Sequence, residues 1–326
     1  MQTLKKILII INPKSGTASK AGVAPRIVRT LTKEGFDVEV HNTTGPGDAT
    51  TAARRAAEAG YYGVLACGGD GTVNEVGAGL CGTDTALGII PLGSGNGLAR
   101  HLEIPVDERA ATRVIAKDRV IACDYCTVNG RPFFCTFGVG FDAVVSHDFA
   151  RRHGRGLVNY LKSMIDVFFK YKPETYRIRI GESTLTEKAF VVVCCNASQY
   201  GNNAYIAPGA SITDGLMDLT IVHATNLIQN LRIGADLITG LLYKNNHISS
   251  FRTKSVTIER DSTEATAIHI DGEPVKMPSP LHVELKAGGL RVFVPTRTTR
   301  FIPLITPLWC NSRNAILAAG RLFTKA

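Results

Sequence analysis

The sequence predicts an α/β protein of two domains, an N-terminal open α/β domain and a C-terminal antiparallel β-sandwich-like domain. Two observations predict this architecture. Up to about Ile121, apolar strand-like runs alternate with glycine-containing loops and amphipathic helices, which is the pattern of a parallel sheet covered by helices. Beyond that point the runs are short and alternate in polarity between turn residues, as in antiparallel sheets. The 326 residues are enough for two cores.

The first domain is predicted to span residues 1–122. Its first strand, 6–12, is a continuous apolar run, as expected for a strand that is buried on both faces. Val23, Ile27 and Leu31 then recur at helical spacing. The remaining predicted strands are 37–41, 63–67 and 86–91, and the remaining predicted helices are 48–59 and 73–80.

The second domain is predicted to span residues 123–295. Two helices, near 157–169 and 227–242, interrupt its strands. Cys194 and Cys195 are adjacent in an apolar strand, so their side chains are expected on opposite faces as small hydrophobic groups. The predicted strands are 126–128, 133–137, 177–180, 189–195, 219–223, 255–259, 267–271, 282–285 and 290–294.

Residues 296–326 form a basic, partly apolar tail outside that pattern. The tail contains no acidic residue, and its cations stand among aromatic and aliphatic side chains, as in segments that lie at a membrane surface. Pro303 and Pro307 exclude one continuous helix, so a bent segment with a helix over 312–323 is expected. The alternative is that this helix packs back on the first domain.

Composition limits the location and the partners of the chain. It starts without a cleavable signal, and it has no uncharged apolar stretch of about 20 residues. We expect a cytoplasmic protein that is peripheral at the inner membrane face. The eight cysteines lack the spacing of a disulfide or zinc framework, and the formal net charge of +9 favours anionic partners. No motif indicates a nucleic-acid partner or an obligate protein partner.

Three loops rich in small residues follow strands of the first domain. Glycines after a parallel strand let backbone N–H groups approach a phosphate, and the N-terminus of the next helix favours the negative charge. Ligands bind at this carboxyl edge of open α/β sheets. The loops therefore predict a site for the phosphates of a nucleotide, where Asp70 holds Mg²⁺ through water or positions an acceptor hydroxyl. Their sequences are Asn12-Pro13-Lys14-Ser15-Gly16-Thr17, Gly68-Gly69-Asp70-Gly71-Thr72 and Pro91-Leu92-Gly93-Ser94-Gly95-Asn96-Gly97.

Neither of the two commonest phosphate motifs is present. The sequence lacks the GxxxxGK[ST] of a P-loop, and its first turn lacks the GxGxxG of a dinucleotide fold. A tight strand-to-helix turn with an aspartate cap would explain the Asp70 loop taken alone. Three such loops at one sheet edge favour a binding site.

The three loops, with Asn74 and Glu75 after the second, resemble the diacylglycerol kinase catalytic-domain family, which includes the sphingosine kinases and small bacterial lipid kinases. The resemblance runs from about Leu4 to Val294. It implies a nucleotide domain followed by a β-sandwich-like domain, with the active site in the cleft between them. It also implies that ATP and Mg²⁺ are used to phosphorylate a hydroxyl group of a membrane lipid.

The resemblance assigns nucleotide-binding residues position by position. Thr44 rests on the loop before the 48–59 helix, where a plain helix-entry turn would look similar. The implied nucleotide-binding residues are Asn12, Ser15, Gly16, Thr44, Gly68, Gly69, Asp70, Gly71, Thr72, Val73, Asn74, Glu75, Gly93, Ser94 and Asn96.

Asp271-Gly272-Glu273 matches a DGE element of the family. The resemblance implies that one carboxylate is the base that takes the proton of the lipid hydroxyl, and that the other helps to organise Mg²⁺ and nucleotide. Either can be the base. The alternative is a β-turn that uses Asp and Gly for its geometry.

The segment 207–218 is similar to one that binds a second Mg²⁺ in bacterial members of the family. The implied ligands are the Asp214 carboxylate and the carbonyl groups of Ser211 and Leu216. Few protein oxygens and several waters are typical of Mg²⁺. An Asp-Gly turn before a strand is the alternative.

The lipid itself stays open between diacylglycerol and a sphingoid long-chain base. Diacylglycerol kinases usually carry Thr-x-Asn-Asp after the fourth strand, whereas this chain has Ser94-Gly95-Asn96-Gly97, as in the sphingosine-kinase branch. An NAD kinase is the rival enzyme, since NAD kinases share the Gly-Gly-Asp-Gly loop. A non-catalytic lipid sensor or a nucleic-acid-binding protein on the same scaffold are the rivals from other classes.

Overall fold

The computed structural model describes residues 4–13, 22–152, 157–262, 264–298, 301–310 and 312. The chain divides into two compact units, Met1–Cys123 with Gly288–Ala326, and Asp124–Ala287. The division at 123/124 lies beside the predicted boundary at 122/123. The described residues from Gly288 onward belong with the N-terminal unit, whereas the sequence analysis placed 288–295 in the second domain and 296–326 apart from both.

Strands and helices alternate through the N-terminal part of the chain, as the sequence predicts. The two helices that the sequence analysis did not predict follow the fourth strand, and the second of them begins at an Asp107 cap, whose carboxylate accepts from the N–H of Ala110. The elements are β1 (Lys5–Ile11), α1 (Val23–Lys33), β2 (Phe36–Asn42), α2 (Asp48–Glu58), β3 (Gly63–Gly68), α3 (Asp70–Leu80), β4 (Ala86–Pro91), α4 (Gly97–His101) and α5 (Glu108–Ala116).

The rest of the chain is mainly strands, with helices among them. A 3₁₀ turn, Leu242–Lys244, follows α8, because Gly240 ends that helix in the left-handed conformation. The elements are β5 (Val120–Val128), β6 (Arg131–Phe133), β7 (Thr136–Gly140), α6 (Phe141–Arg151), α7 (Leu157–Phe168), β8 (Glu174–Ile180), β9 (Ser183–Cys195), β10 (Met217–His223), α8 (Leu227–Thr239), β11 (Ile248–Thr253), β12 (Ser255–Glu259), β13 (Thr266–Ile270), β14 (Glu273–Met277) and β15 (Leu281–Phe293).

The N-terminal unit contains a parallel sheet in the order β4-β3-β1-β2. Its middle strands are apolar on both faces, and Ile7, Ile9 and Ile10 are fully buried, as expected under helices on both sides. The C-terminal end of β15 joins the sheet beside β4, where Val292 pairs in parallel with Leu87. A strand from near the end of the chain thus completes a sheet that begins at β1.

The second unit contains an antiparallel sheet in the order β14-β13-β7-β9-β8-β12, in which β10 pairs with both β9 and β11. Apolar cores lie on both faces of β9. Cys194 belongs to one core and Cys195 to the other, so the prediction for this pair is confirmed. The helices α6, α7 and α8 all contribute to the second core. The predicted fold class, an α/β unit followed by a β-sandwich-like unit, is confirmed.

Several features of the second unit differ from the prediction, among them the unpredicted strands β11 and β14 and the strand β15, which joins the predicted strands 282–285 and 290–294. The predicted strand 133–137 is broken at Phe134 and Cys135, between β6 and β7, because the N–H groups of this break bind a carboxylate described below. The helix α6 was not predicted. Its sequence mixes apolar and polar residues without a strong amphipathic pattern, because several of its polar side chains are themselves buried.

The described part of the tail contains a helix over 305–310, and so helical structure begins before the predicted 312. Pro307 stands in the first turn of this helix, where its missing N–H is not needed. Thr306, Pro307 and Cys310 are buried, whereas Leu308 is exposed. The tail therefore packs on the N-terminal unit with one side and leaves an apolar side in solvent. Residues 313–326, which hold most of the predicted 312–323 helix, lie outside the described residues.

Among the described residues, the structure contains no helix that combines the length and the apolarity needed to cross a bilayer.

Candidate functional site

Asp70 joins two of the three predicted loops. It is the first residue of α3, and its carboxylate accepts from the N–H groups of Asn96, at 2.9 Å, and Gly97, at 2.7 Å. Asn96 adopts the left-handed conformation, with φ of 53°, which turns both N–H groups toward Asp70. Charge-assisted bonds of this kind are strong. The carboxylate therefore positions the loop after β4 against the loop after β3.

The same two loops approach each other at their backbones. A Cβ atom on Gly93 would lie 2.5 Å from the Cα of Gly69, a distance that real structures do not show. The Asn96 side chain fixes the shape of the loop after β4, because it accepts from the N–H of Gly93 and donates to the Gly93 carbonyl. Gly69 itself has an ordinary φ of −91°. Position 93 therefore requires glycine, because the backbone at Gly69 leaves no room for a Cβ atom there.

The helix α3 carries its first residues into the core. Thr72, Val73 and Asn74 are buried, and the N–H of Val73 donates to the Gly69 carbonyl to start the helix. Ser94, by contrast, is exposed at the tip of its loop. Of the predicted nucleotide residues, Thr44 and Ser94 are exposed, whereas several others are buried and shape the loops.

Glu75 and Thr44 relate to the loop before α2. The Glu75 carboxylate accepts from the N–H of Gly47 at 3.1 Å. Thr44 donates its hydroxyl and its N–H to Asp48 in the first turn of α2, and these bonds lower the pKa of Asp48. Thr44 thus makes the contacts of a plain helix-entry turn, which is the alternative to a nucleotide-binding role for this residue. Asn12 directly follows β1, whereas Ser15 and Gly16 lie outside the described residues.

Asp271 and Gly272 form the two-residue turn between β13 and β14. Both have positive φ, 48° and 82°, which is the conformation of a type I′ hairpin turn. The Asp271 carboxylate accepts from three backbone N–H groups, those of Phe134, Cys135 and Thr136, at 2.9, 2.7 and 3.0 Å. The turn therefore has the geometry of the alternative interpretation, and its carboxylate is held in place as an anion acceptor.

Glu273 faces a different environment. Its side chain is 43% exposed and lies 3.5 Å from the guanidinium of Arg131 on β6. The turn at Gly272 thus directs the two carboxylates apart. Asp271 accepts from three backbone N–H groups, while the side chain of Glu273 is partly exposed.

A buried polar network that the sequence analysis missed lies beside this turn on β13. His269 Nε2 is 2.9 Å from the Asp142 carboxylate, which also accepts from the hydroxyl of Tyr200 at 3.0 Å. His269 and Asp142 are both buried. Gly138 leaves room for them, because a Cβ there would lie 2.3 Å from His269 Nε2. The sequence signal was a histidine between buried isoleucines, two residues before Asp271.

The predicted second Mg²⁺ site has a cation beside it already. Asp214 forms an ion pair with Arg252 and accepts from the N–H of Leu216 at 3.1 Å, while the hydroxyl of Ser211 bonds to that of Thr213. No group of three or more acidic, histidine or cysteine side chains gathers around a metal position within the described residues. A Mg²⁺ ion bound directly to Asp214 would share the carboxylate with the Arg252 guanidinium, and the site stays a prediction.

Burial raises the pKa of the nearby Asp218, and Arg252, whose Nε lies 3.9 Å from that carboxylate, acts in the opposite direction. Arg252 therefore forms ion pairs with two carboxylates of this segment, those of Asp214 and Asp218.

Comparison with known proteins places these features in a family. The model of the diacylglycerol kinase catalytic domain matches residues 6–128, and that of the YegS C-terminal NAD kinase beta sandwich-like domain matches residues 136–294. A diacylglycerol kinase of Bacillus subtilis is 30% identical over 277 residues, which cover 83% of this chain and 90% of that protein. A probable YegS-like lipid kinase of Chromohalobacter salexigens is 30% identical over 272 residues, 82% of this chain and 86% of that protein.

A solved structure of a putative diacylglycerol kinase from Bacillus anthracis is 26% identical, with a TM-score of 0.76, and covers 91% of this chain and 99% of that one. The matching domains and relatives thus place the chain in the class of lipid kinases. Within that class, the chain belongs to the diacylglycerol kinase catalytic-domain family.

Proposed function

We propose that this chain transfers the γ-phosphate of ATP, supplied as its Mg²⁺ complex, to a hydroxyl group of a membrane lipid, either diacylglycerol or a sphingoid long-chain base. The observation that supports this most is the contact of Asp70 with the N–H groups of Asn96 and Gly97, which brings two glycine loops together at the carboxyl edge of a parallel sheet. Phosphoryl transfer depends chiefly on positioning and on charge neutralisation. Loops that are held together before the nucleotide arrives provide the positioning.

The loops bind and orient the nucleotide in this proposal. Backbone N–H groups at the N-terminus of α3 and those of Ser94 and Gly95 face the phosphates, and the helix terminus favours their negative charge. Asp70 acts as a positioning residue, because two acceptor positions of its carboxylate hold the opposite loop.

We assign the base to Glu273. The lipid hydroxyl gives its proton to the Glu273 carboxylate, its oxygen forms a bond to the γ-phosphorus, and the bond from that phosphorus to the β,γ-bridging oxygen breaks, so that ADP leaves with the electron pair. Glu273 suits this role because its side chain is accessible, whereas the Asp271 carboxylate is occupied by three N–H donors. Asp271 holds the turn that carries Glu273.

The substrate is tested directly by product analysis. Purified protein is incubated with labelled ATP, Mg²⁺ and a panel of diacylglycerol, ceramide, sphinganine and monoacylglycerol, and the lipid products are separated by chromatography. The names of the relatives favour diacylglycerol. A labelled product that stays in water when NAD is the acceptor would instead identify an NAD kinase, and no labelled lipid would refute the proposal.

We also propose that the protein works in the cytoplasm, at the inner face of the membrane, and that its tail contributes to attachment. A chain that ends at Val294 is expected to sediment poorly with anionic vesicles, because the tail supplies exposed apolar groups and cations worth up to about 1 kcal/mol each near such a surface. The same shortened chain is expected to phosphorylate lipid dispersed in detergent.

The matched control for this truncation is the full chain with Ile305→Gln and Leu308→Gln. Both positions are exposed, so these changes spare the buried side of the tail helix. If the shortened chain binds vesicles as well as the full chain does, the tail is structural. If only the shortened chain unfolds, vesicle binding by the control variant decides whether the tail also attaches the protein to the membrane or is only structural.

A further inference from the structure

The helix α8 has a large apolar face in solvent. Leu227, Ile228, Leu231 and Ile238 are 49%, 78%, 67% and 67% exposed. These four residues, called the α8 face below, recur at spacings that place them along one side of the helix. Contiguous exposed apolar surface of this kind marks an interaction site in soluble proteins.

The helix does not depend on the α8 face for its own formation. Asn226 and Gln229 form a reciprocal capping box at its N-terminus, and Gly240 ends it. On the opposite side Ile233 is buried and packs, with Leu237, against the core that β9 and β10 share with α6 and α7. The helix is thus capped and docked, and its outward side is available for a second contact.

The charges around the α8 face are positive. Arg232 lies among the four apolar residues and is exposed, as is Lys244 in the turn after the helix, whose ammonium group stands 5.7 Å from the ring centroid of the exposed Tyr243. Lys188, also exposed, is next to the start of α8, since its carbonyl accepts from the N–H of Ala224.

Glu187, next to Lys188, lies 3.6 Å from His223, and few acidic groups stand near the other cations. Asp236 is the one acidic residue of the segment 224–247, all of which the structure describes, and its carboxylate accepts from the side chain of Asn245 at 2.8 Å. Segments that lie in a membrane interface have this composition, with leucine and isoleucine on the apolar face and arginine, lysine and tyrosine at its edge.

We propose that the α8 face docks the enzyme onto an anionic lipid bilayer, with its apolar side chains among the headgroups and its cations against lipid phosphates. This inference rests on the proposed function, because a lipid kinase must reach a substrate that resides in a bilayer. A second copy of the chain fits this surface less well, since a two-fold contact over the face would bring Arg232 of one copy toward the Arg232 of the other.

The test uses the full chain and vesicles of equal parts phosphatidylcholine and phosphatidylglycerol. The double variant Ile228→Gln/Leu231→Gln removes apolar groups without adding charge, and glutamine is a good helix former. We expect its affinity for these vesicles to fall about tenfold or more, as the loss of two buried aliphatic side chains predicts. Val40→Gln, at an exposed aliphatic position on β2, is the matched control and should bind as the unaltered chain does.

Arg232→Gln separates the two contributions. It should weaken binding to the anionic vesicles and leave binding to vesicles of phosphatidylcholine alone unchanged. Activity is read in parallel on long-chain diacylglycerol in vesicles, where the double variant should be slower, and on short-chain diacylglycerol dispersed in solution, where it should equal the unaltered chain.

Unchanged vesicle affinity of the double variant would overturn the inference, as would an unaltered chain that binds no vesicles. A double variant that binds vesicles normally but changes the oligomeric state in sedimentation velocity would show that the face is a contact between copies. A chain that phosphorylates neither form of lipid, yet loses vesicle binding in the double variant, would refute the proposed function and leave the docking surface standing.

Discussion

The variant Glu273→Gln is expected to lower lipid phosphorylation by about 10²–10⁴-fold, the usual loss when a positioned base is removed. Its thermal stability should stay close to that of the unaltered chain, because the Glu273 side chain is half-exposed and its contact with Arg131 is a long surface ion pair. The measurements are initial rates on detergent-dispersed diacylglycerol and a thermal melt. Glu182→Gln, which alters an exposed carboxylate between β8 and β9, is the matched control and should retain full activity.

The comparison with Asp271→Asn separates the two carboxylates. An asparagine offers one acceptor oxygen and turns an NH₂ group toward N–H donors, so this variant should lose about 2 kcal/mol of stability, the scale of hydrogen bonds to a charged group. It should also lose activity, because the turn that carries Glu273 moves. Near-normal turnover in Glu273→Gln, with none in a folded Asp271→Asn, would transfer the role of base to Asp271.

Gly93→Ala has the second largest expected effect. A Cβ atom there would lie 2.5 Å from the Cα of Gly69, and neither backbone can yield without moving its loop. Overpacking of this kind costs about 1–3 kcal/mol. Because the strain falls on the two loops that we propose receive the phosphates, we expect ATP affinity to fall by about one to two orders of magnitude, measured by titration calorimetry with a non-hydrolysable analogue.

Two alanine variants serve as controls for Gly93→Ala. Gly234→Ala adds a Cβ that meets nothing within 4 Å and should leave nucleotide affinity unchanged. Gly69→Ala places its Cβ at an ordinary 3.4 Å from Gly93 and should be milder. If Gly69→Ala weakens ATP binding as strongly as Gly93→Ala while the protein stays stable, the phosphates contact Gly69 directly. Unchanged affinity in both would mean that the loops form only turns.

Much of the fold was predictable, because its signals are local. The glycine loop at Gly68 and Gly69 follows an uninterrupted apolar strand, and β4 spans the predicted residues 86–91. Capping and periodicity placed α2 within one residue of its observed end. The helix α6 escaped prediction, since its buried Asp142 and Ser146 obscure the apolar pattern that identifies a helix from sequence.

The candidate site was predictable in its residue types but not in its contacts. Asp70 and Asn96 were both assigned to the nucleotide, yet their hydrogen bond joins residues 26 positions apart. The N–H groups of Phe134, Cys135 and Thr136 donate to Asp271, about 135 positions later in the sequence. These bonds interrupt the predicted strand 133–137. Periodicity carries no information about such distant pairs. The role of His269 was missed for the same reason, because Asp142 lies 127 positions before it.

The strand β15 bears on how the protein is made. The sheet of the N-terminal unit is complete only when Val292 pairs with Leu87, and the ring of Phe293 packs on Tyr62, with centroids 5.8 Å apart. On a ribosome, β4 is synthesised some 200 residues before its partner, so the nascent sheet must wait with an open apolar edge, a state prone to wrong pairing. The second unit, by contrast, is contiguous in sequence. During translation it has all its residues first, and the N-terminal unit closes last.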